Sequence, residues 1–183
     1  NGSLGFAEST GSADVVTDGG FENWNTSTDL TNWAEGSAIS VAQSTDKITG
    51  SYSCKLTGAG SISVNNTNWL SQLISPVANK KYRLSGKVKR FSGSTYFLQF
   101  GIKYFIMLLF DGTKFSAAPT TAQLPFIGGL TSKALGNGWY SFSIDFITTS
   151  TEYLTIGVNG STDPYLLDDV SLVQIGSVLD ARA

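Results

Sequence analysis

Near its C-terminus the chain reads Tyr165-Leu166-Leu167-Asp168-Asp169-Val170-Ser171-Leu172. Side chains of a strand alternate between its two faces. That spacing puts Leu166, Asp168, Val170 and Leu172 together, so a carboxylate points toward a core beside three aliphatic side chains. A buried, unpaired charge is too costly to persist, so Asp168 needs a compensating cation or a set of hydrogen-bond donors. No Lys or Arg lies within the strand. A distant basic residue or a bound metal is left, and a metal is the expectation.

Catalytic chemistry finds little to use. The chain has no histidine, which removes Ser-His-Asp and Cys-His sites and histidine-ligated zinc, copper or iron. The single Cys54 excludes an internal disulfide and a cysteine metal cluster, and beside Leu56 it reads as a small buried hydrophobe. A glycosidase needs two carboxylates facing one cleft. Adjacent strand residues face opposite ways, so Asp168 and Asp169 are not expected to form that pair, and the other acids are scattered. No enzyme is expected.

The elements that must hold Asp168 are strands. The 183 residues suit one domain with a real core. Charged residues are only 14%, against about 25% in ordinary soluble proteins, and 20 glycines accompany abundant Ser, Thr and Asn. No window shows helical periodicity. Short alternating segments recur instead: Ile39 and Val41; Cys54 and Leu56; Tyr82, Leu84, Gly86 and Val88; Tyr140, Phe142, Ile144 and Phe146; Leu154, Ile156 and Val158. Each offers one face to a core, as two packed antiparallel sheets require, so the expected fold is an all-β sandwich. Tyr96 to Phe110 is too short and too interrupted for a membrane helix and reads as one long strand or two short ones. Asp111 to Gly138 reads as a long loop or a pair of weak strands.

Residues 1–14 read as a flexible leader, 15–175 as the domain, and 176–183 as the start of a linker to a following domain. The chain begins at Asn1 without methionine, so a processed product or an excised piece is the expectation.

Several stretches together resemble a known family. They are Gly19-Gly20-Phe21-Glu22 followed by Trp33, then Gly50-Ser51-Tyr52-Ser53-Cys54-Lys55-Leu56, Trp69-Leu70-Ser71-Gln72 and Lys81 to Lys89. Gly138-Trp139-Tyr140-Ser141-Phe142 and Leu167-Asp168-Asp169-Val170-Ser171-Leu172 complete the order. The chain resembles the β-jelly-roll carbohydrate-binding modules of the family 4, 9 and 22 type. The resemblance implies a structural calcium where the first strand, a Gly-rich turn and the last strand meet, bound by the Gly20 carbonyl, Glu22, the Gly50 carbonyl and Asp168. Calcium takes oxygen ligands and needs no His or Cys. The alternative is that Glu22 and Asp168 accept from backbone amides at a strand crossing.

The resemblance also implies a glycan site on an outer face or loop edge, where aromatic rings meet the apolar patches of sugars and polar groups meet their hydroxyls. Trp69 and Gln72 are candidates there. Phe97, Gln99, Lys103 and Phe105 share one face of the long strand, which adds Phe97, Gln99 and Lys103. Trp24, Trp33 and Trp139 are assigned to packing. Lys81, Arg83, Lys87 and Lys89 project from one face, which suits an anionic glycan or simply a solvated, guarded sheet. Nucleic acid is not expected at a net charge of −2. The expected protein is a non-catalytic glycan-binding module of a larger extracellular or virion-surface protein. Its partners would be polysaccharide or bacterial surface glycan and other domains of the same chain. The alternative is a structural or adhesion domain of a bacteriophage tail fibre, a homotrimer in that setting, with no sugar affinity of its own.

Overall fold

In the computed structural model the described residues are 13–58, 67–93, 96–102, 105–117, 124–147, 151–158 and 163–176. The proposed leader and exit linker, with Lys103, fall wholly or mainly outside them. Among the described residues there are strands and no helix. They are β1 (Trp24–Thr26), β2 (Asp29–Leu30), β3 (Ile39–Ser44), β4 (Ser53–Gly58), β5 (Leu70–Ile74), β6 (Lys81–Arg90) and β7 (Leu98–Ile102). β8 (Phe105–Phe110), β9 (Phe115–Ala117), β10 (Phe126–Gly136), β11 (Trp139–Ile147), β12 (Glu152–Val158) and β13 (Tyr165–Gln174) follow.

Two sheets form the body. One has the order β10-β11-β6-β13-β4-β3 and the other β5-β12-β7-β8-β9, with β1 and β2 as a separate hairpin. Every pairing among the described residues is antiparallel, so the expected jelly-roll sandwich is what the chain adopts. Register explains the layers. Val88, Gly86, Leu84 and Tyr82 of β6 stand opposite Tyr140, Phe142, Ile144 and Phe146 of β11, which makes one apolar inner face. Across the gap, Leu154, Ile156 and Val158 of β12 stand opposite Ile102, Phe100 and Leu98 of β7. Aromatic pairs join the sheets: Phe100 meets Phe142 at a centroid distance of 4.8 Å, and Phe110 meets Tyr140 at 5.6 Å. Cys54 is fully buried in this core, as its neighbours suggest.

Three stretches depart from simple alternation. The apolar run after Tyr96 is two strands, with Ile102 of β7 opposite Phe105 of β8. Phe105 therefore shares the side of Ile102 rather than that of Gln99, contrary to a single straight strand. Residues 126–136 form an eleven-residue strand on the sheet edge. It escapes pattern reading because most of it is exposed on both faces, so nothing imposes a period of two.

The third departure is in β13. Asp168 stands opposite Lys87, but the next aligned pair is Ser171 with Ser85, so two residues of β13 face one of β6. Asp169 takes φ 49°, the left-handed conformation of a β-bulge. The expectation that Leu166, Asp168, Val170 and Leu172 share a face is therefore wrong. Leu166 pairs with Lys89 and Asp168 with Lys87 on the outer side, whereas past the bulge Leu172 pairs with Leu84 on the inner side.

β4 pairs with β13 only over Tyr165 to Leu167. Beyond that point the N-terminal segment runs along β13. The Val15 N–H donates to the Leu172 carbonyl at 2.9 Å, the Val170 N–H to the Gly19 carbonyl at 2.8 Å, and the Leu172 N–H to Asp14 Oδ1 at 2.9 Å.

Candidate functional site

The segment joining β3 to β4, residues 45–52, folds over the outer face of the six-stranded sheet. It covers Asp168, which is fully buried although it faces away from the core. Asp168 Oδ2 accepts the N–H groups of Ile48 (2.8 Å) and Thr49 (3.1 Å), and Oδ1 accepts that of Asp169 (2.8 Å). Three residues on, both Glu22 oxygens accept the Ser51 N–H at 2.9 Å, and Oε1 also accepts that of Tyr52 at 3.1 Å. Gly50 lies between the two carboxylates at φ 68°. A Cβ there would lie 2.1 Å from Glu22 Oε1, so the turn needs glycine for space as well as conformation. Gly20 lies near both Glu22 and Asp169.

All four residues expected at a metal are thus gathered around one turn. The amide donors that the sequence left as the alternative are also present. The bulge brings in a further carboxylate. Asp169 Oδ1 accepts the Thr49 hydroxyl, and its Oδ2 is 2.9 Å from the Lys87 ammonium. Asp168 and Asp169 therefore lie on one side of the strand, not on opposite sides. Burial pushes the Asp168 carboxyl up to about 6 against the pull of the Ile48 and Thr49 amides, and the Asp169 charge adds to the rise. Burial also raises Asp169, but the Thr49 hydroxyl and Lys87 outweigh it and hold that carboxyl below the usual range.

Among the described residues no three acidic, Cys or His side chains converge as a ready-made metal centre. The expected set is two carboxylates and two carbonyls. Its oxygen-only chemistry fits calcium.

The basic row is largely neutralised. Arg83 bonds Asp145 at 2.8 Å, Lys87 bonds Asp169, Lys89 bonds Asp46 at 2.6 Å, and the Lys81 ammonium lies 4.4 Å from the Phe126 ring centroid. This favours the solvated-face reading.

The other region is the outer face of the five-stranded sheet. Thr155 stands opposite Ser71 and Gly101, Gly157 opposite Gln99, and Tyr153 opposite Leu73. Trp69 lies flat over Gly157, where an added Cβ would lie 2.3 Å from the ring. Trp69 is fully buried, so its ring is no exposed platform for sugar in this conformation. Gln72 belongs to a different place. It pairs with Leu154 on the inner side, and its amide clamps Thr17 and Asn32 at 2.8–2.9 Å, strapping the N-terminal segment to the sheet edge. Gln99 is on the outer face but only 5% exposed. Phe97, which by alternation shares its face, is 44% exposed. Sequence reasoning missed Tyr153, which is 38% exposed beside Leu73. Its alternation with Leu154 and Ile156 was the available signal. Trp69 Nε1 and Thr155 Oγ1 are both buried and find no hydrogen-bond partner among the described residues. Trp33 and Trp139 are buried, as expected, and Trp24 half-buried.

No protein-family model matches the chain, and no curated protein matches it in sequence. Solved structures do match in fold. The CBM22-1 xylan-binding domain of Paenibacillus barcinonensis Xyn10C shares 14% identity at a TM-score of 0.53, over 91% of this chain and 97% of that one. The CBM22-1–GH10 modules of Clostridium thermocellum xylanase 10B, complexed with xylohexaose, match at 13% identity and a TM-score of 0.53. That match covers 88% of this chain and 28% of the other. Tailspike protein 4 of bacteriophage CBA120, in its enzymatically active domain, matches at 13% and 0.51 over 88% of this chain and 21% of its own. The chain has the fold of a carbohydrate-binding module.

Proposed function

We propose that this domain is a non-catalytic glycan-binding module of a larger extracellular or virion-surface protein, and that it carries a structural calcium. One observation carries the glycan reading: the aromatic rings of Phe97 and Tyr153 are both exposed, on the outer face of the five-stranded sheet. Gln99, Thr155 and the Trp69 indole N–H lie buried beneath that face, the last two with unpartnered polar atoms. On the paired strands the two rings stand on the order of 15–20 Å apart, a span suited to several units of a polysaccharide. Sugars present both the C–H patches and the hydroxyls that such a face takes up. Two fold neighbours are described as xylan-binding or bound to xylohexaose. Paired basic residues favour a neutral polymer over an anionic one.

Catalysis is not part of the reading. Asp168 is buried under amides and Asp169 is tied to Lys87, so neither faces a cleft as an acid or nucleophile.

Affinity electrophoresis in gels with xylan or bacterial polysaccharides tests it. The native protein is expected to be retarded, while Phe97→Ala and Tyr153→Ala run free with an unchanged melting midpoint. No retardation by any polymer would leave the second reading, a tail-fibre structural domain, which the tailspike likeness supports.

For calcium, Glu22, Asp168 and the Gly20 and Gly50 carbonyls would hold the ion, whose positive charge would draw the N-terminal segment, turn and last strand together. An ion that binds only the folded state at a hundred times its Kd adds about 2.7 kcal/mol. Chelator is therefore expected to lower the midpoint by roughly 5–10 °C. Superimposable melts with chelator and with calcium would refute it.

A further inference from the structure

The 45–52 clasp is anchored through one residue that neither proposed site uses. Every polar group of Asp46 is bonded. Its Oδ1 accepts the Trp139 indole N–H at 3.0 Å and its Oδ2 the Lys89 ammonium at 2.6 Å. Its carbonyl accepts the Ser53 hydroxyl at 2.5 Å, and its N–H donates to Ser44 Oγ at 3.2 Å. Trp139 is 2% exposed yet packs outside the main core, on the outer face where it pairs with Lys89, which in turn pairs with Leu166. Two residues beyond Asp46 begins the run of amides at Ile48, Thr49, Ser51 and Tyr52 that donates to Asp168 and Glu22.

We infer that Asp46, gripped by Trp139 and Lys89, is the positioning residue of the acidic corner, fixing the clasp so that its four amides meet Asp168 and Glu22. The physical reason is local. The turn contains Gly50 at positive φ and has no strand pairing of its own between Asp46 and Tyr52, so its placement comes from side chains at its ends. Asp46 supplies two charge-assisted or indole hydrogen bonds at the entry, on strands that are themselves rigidly paired. Trp139 thereby links the start of β11 to a corner built mainly from β13 and the N-terminal segment.

Amide hydrogen exchange on the whole chain tests this, and it reads the clasp directly whether or not glycan or calcium binds. In Asp46→Ala the Ile48, Thr49, Ser51 and Tyr52 amides are expected to exchange at least about tenfold faster, while those of Leu84 and Ile156 keep their protection. Trp139→Phe keeps most of the packing and removes only the donor, so a smaller acceleration at the same four amides is expected. A double-mutant cycle adds a second reading: in an Asp168→Asn background the loss caused by Asp46→Ala shrinks, because the two act through one turn. Unchanged exchange at the four amides, equal acceleration across both sheets, or additive losses in the cycle would each overturn the inference.

Discussion

Gly19→Ala is expected to cost about 3–5 kcal/mol, whereas Gly20→Ala next to it costs little. A Cβ on Gly19 would lie 1.7 Å from the Val170 carbonyl oxygen and 2.8 Å from its carbon, both backbone atoms of a strand held between neighbours. No rotamer change relieves that overlap, so the segment must lift from β13. The Val170 bond to Gly19 goes with it, and the bonds joining Val15 and Asp14 to Leu172 are put at risk. On Gly20 the nearest atoms to a Cβ are 3.8 and 4.0 Å away, which is ordinary contact. In a chain of this size the difference is roughly a 10–15 °C gap in melting midpoint between two variants one residue apart. Equal midpoints would mean the N-terminal segment is not seated along β13.

Asp168→Ala is the second large loss expected, again about 3–5 kcal/mol. Removing the carboxylate leaves the Ile48, Thr49 and Asp169 amides without their acceptor beneath a closed turn, and each orphaned donor costs about 1–3 kcal/mol before relaxation. Opening of the clasp recovers part of that cost by admitting water. Asp168→Asn keeps one acceptor oxygen and should fall between Ala and the native protein in denaturant midpoint. If Ala proved as stable as the native chain, Asp168 would not hold the corner together.

The fold was legible because in several strands the large apolar residues fall at every second position. Tyr82 to Val88, Tyr140 to Phe146 and Leu154 to Val158 each alternate cleanly, and each turns its apolar row inward. The burial of Asp168 was legible too, as was its need for donors or a cation, but its direction was not. The bulge rests on Asp169 in a left-handed conformation, which an aspartate reaches with help from local hydrogen bonds and which no glycine announced. Trp69 misled for a related reason. Its partner is the absence of a side chain at Gly157, on a strand more than eighty residues away, so nothing local marks the ring as packed. Gln72 changed role because Thr17 and Asn32 come to it from distant segments. Tyr153 was visible as an outward residue but became a candidate only once β12 was seen beside β7.

The proposed glycan face is tested most directly by mapping amide chemical shifts while xylo-oligosaccharide is titrated into the intact domain. Shifts are expected to concentrate at the backbone amides of Phe97 and Tyr153 and of Gln99 and Thr155 beside them. Perturbations confined to the opposite sheet around Ser85, Ser143 and Ser171, or none at saturating sugar, would contradict the assignment of that face.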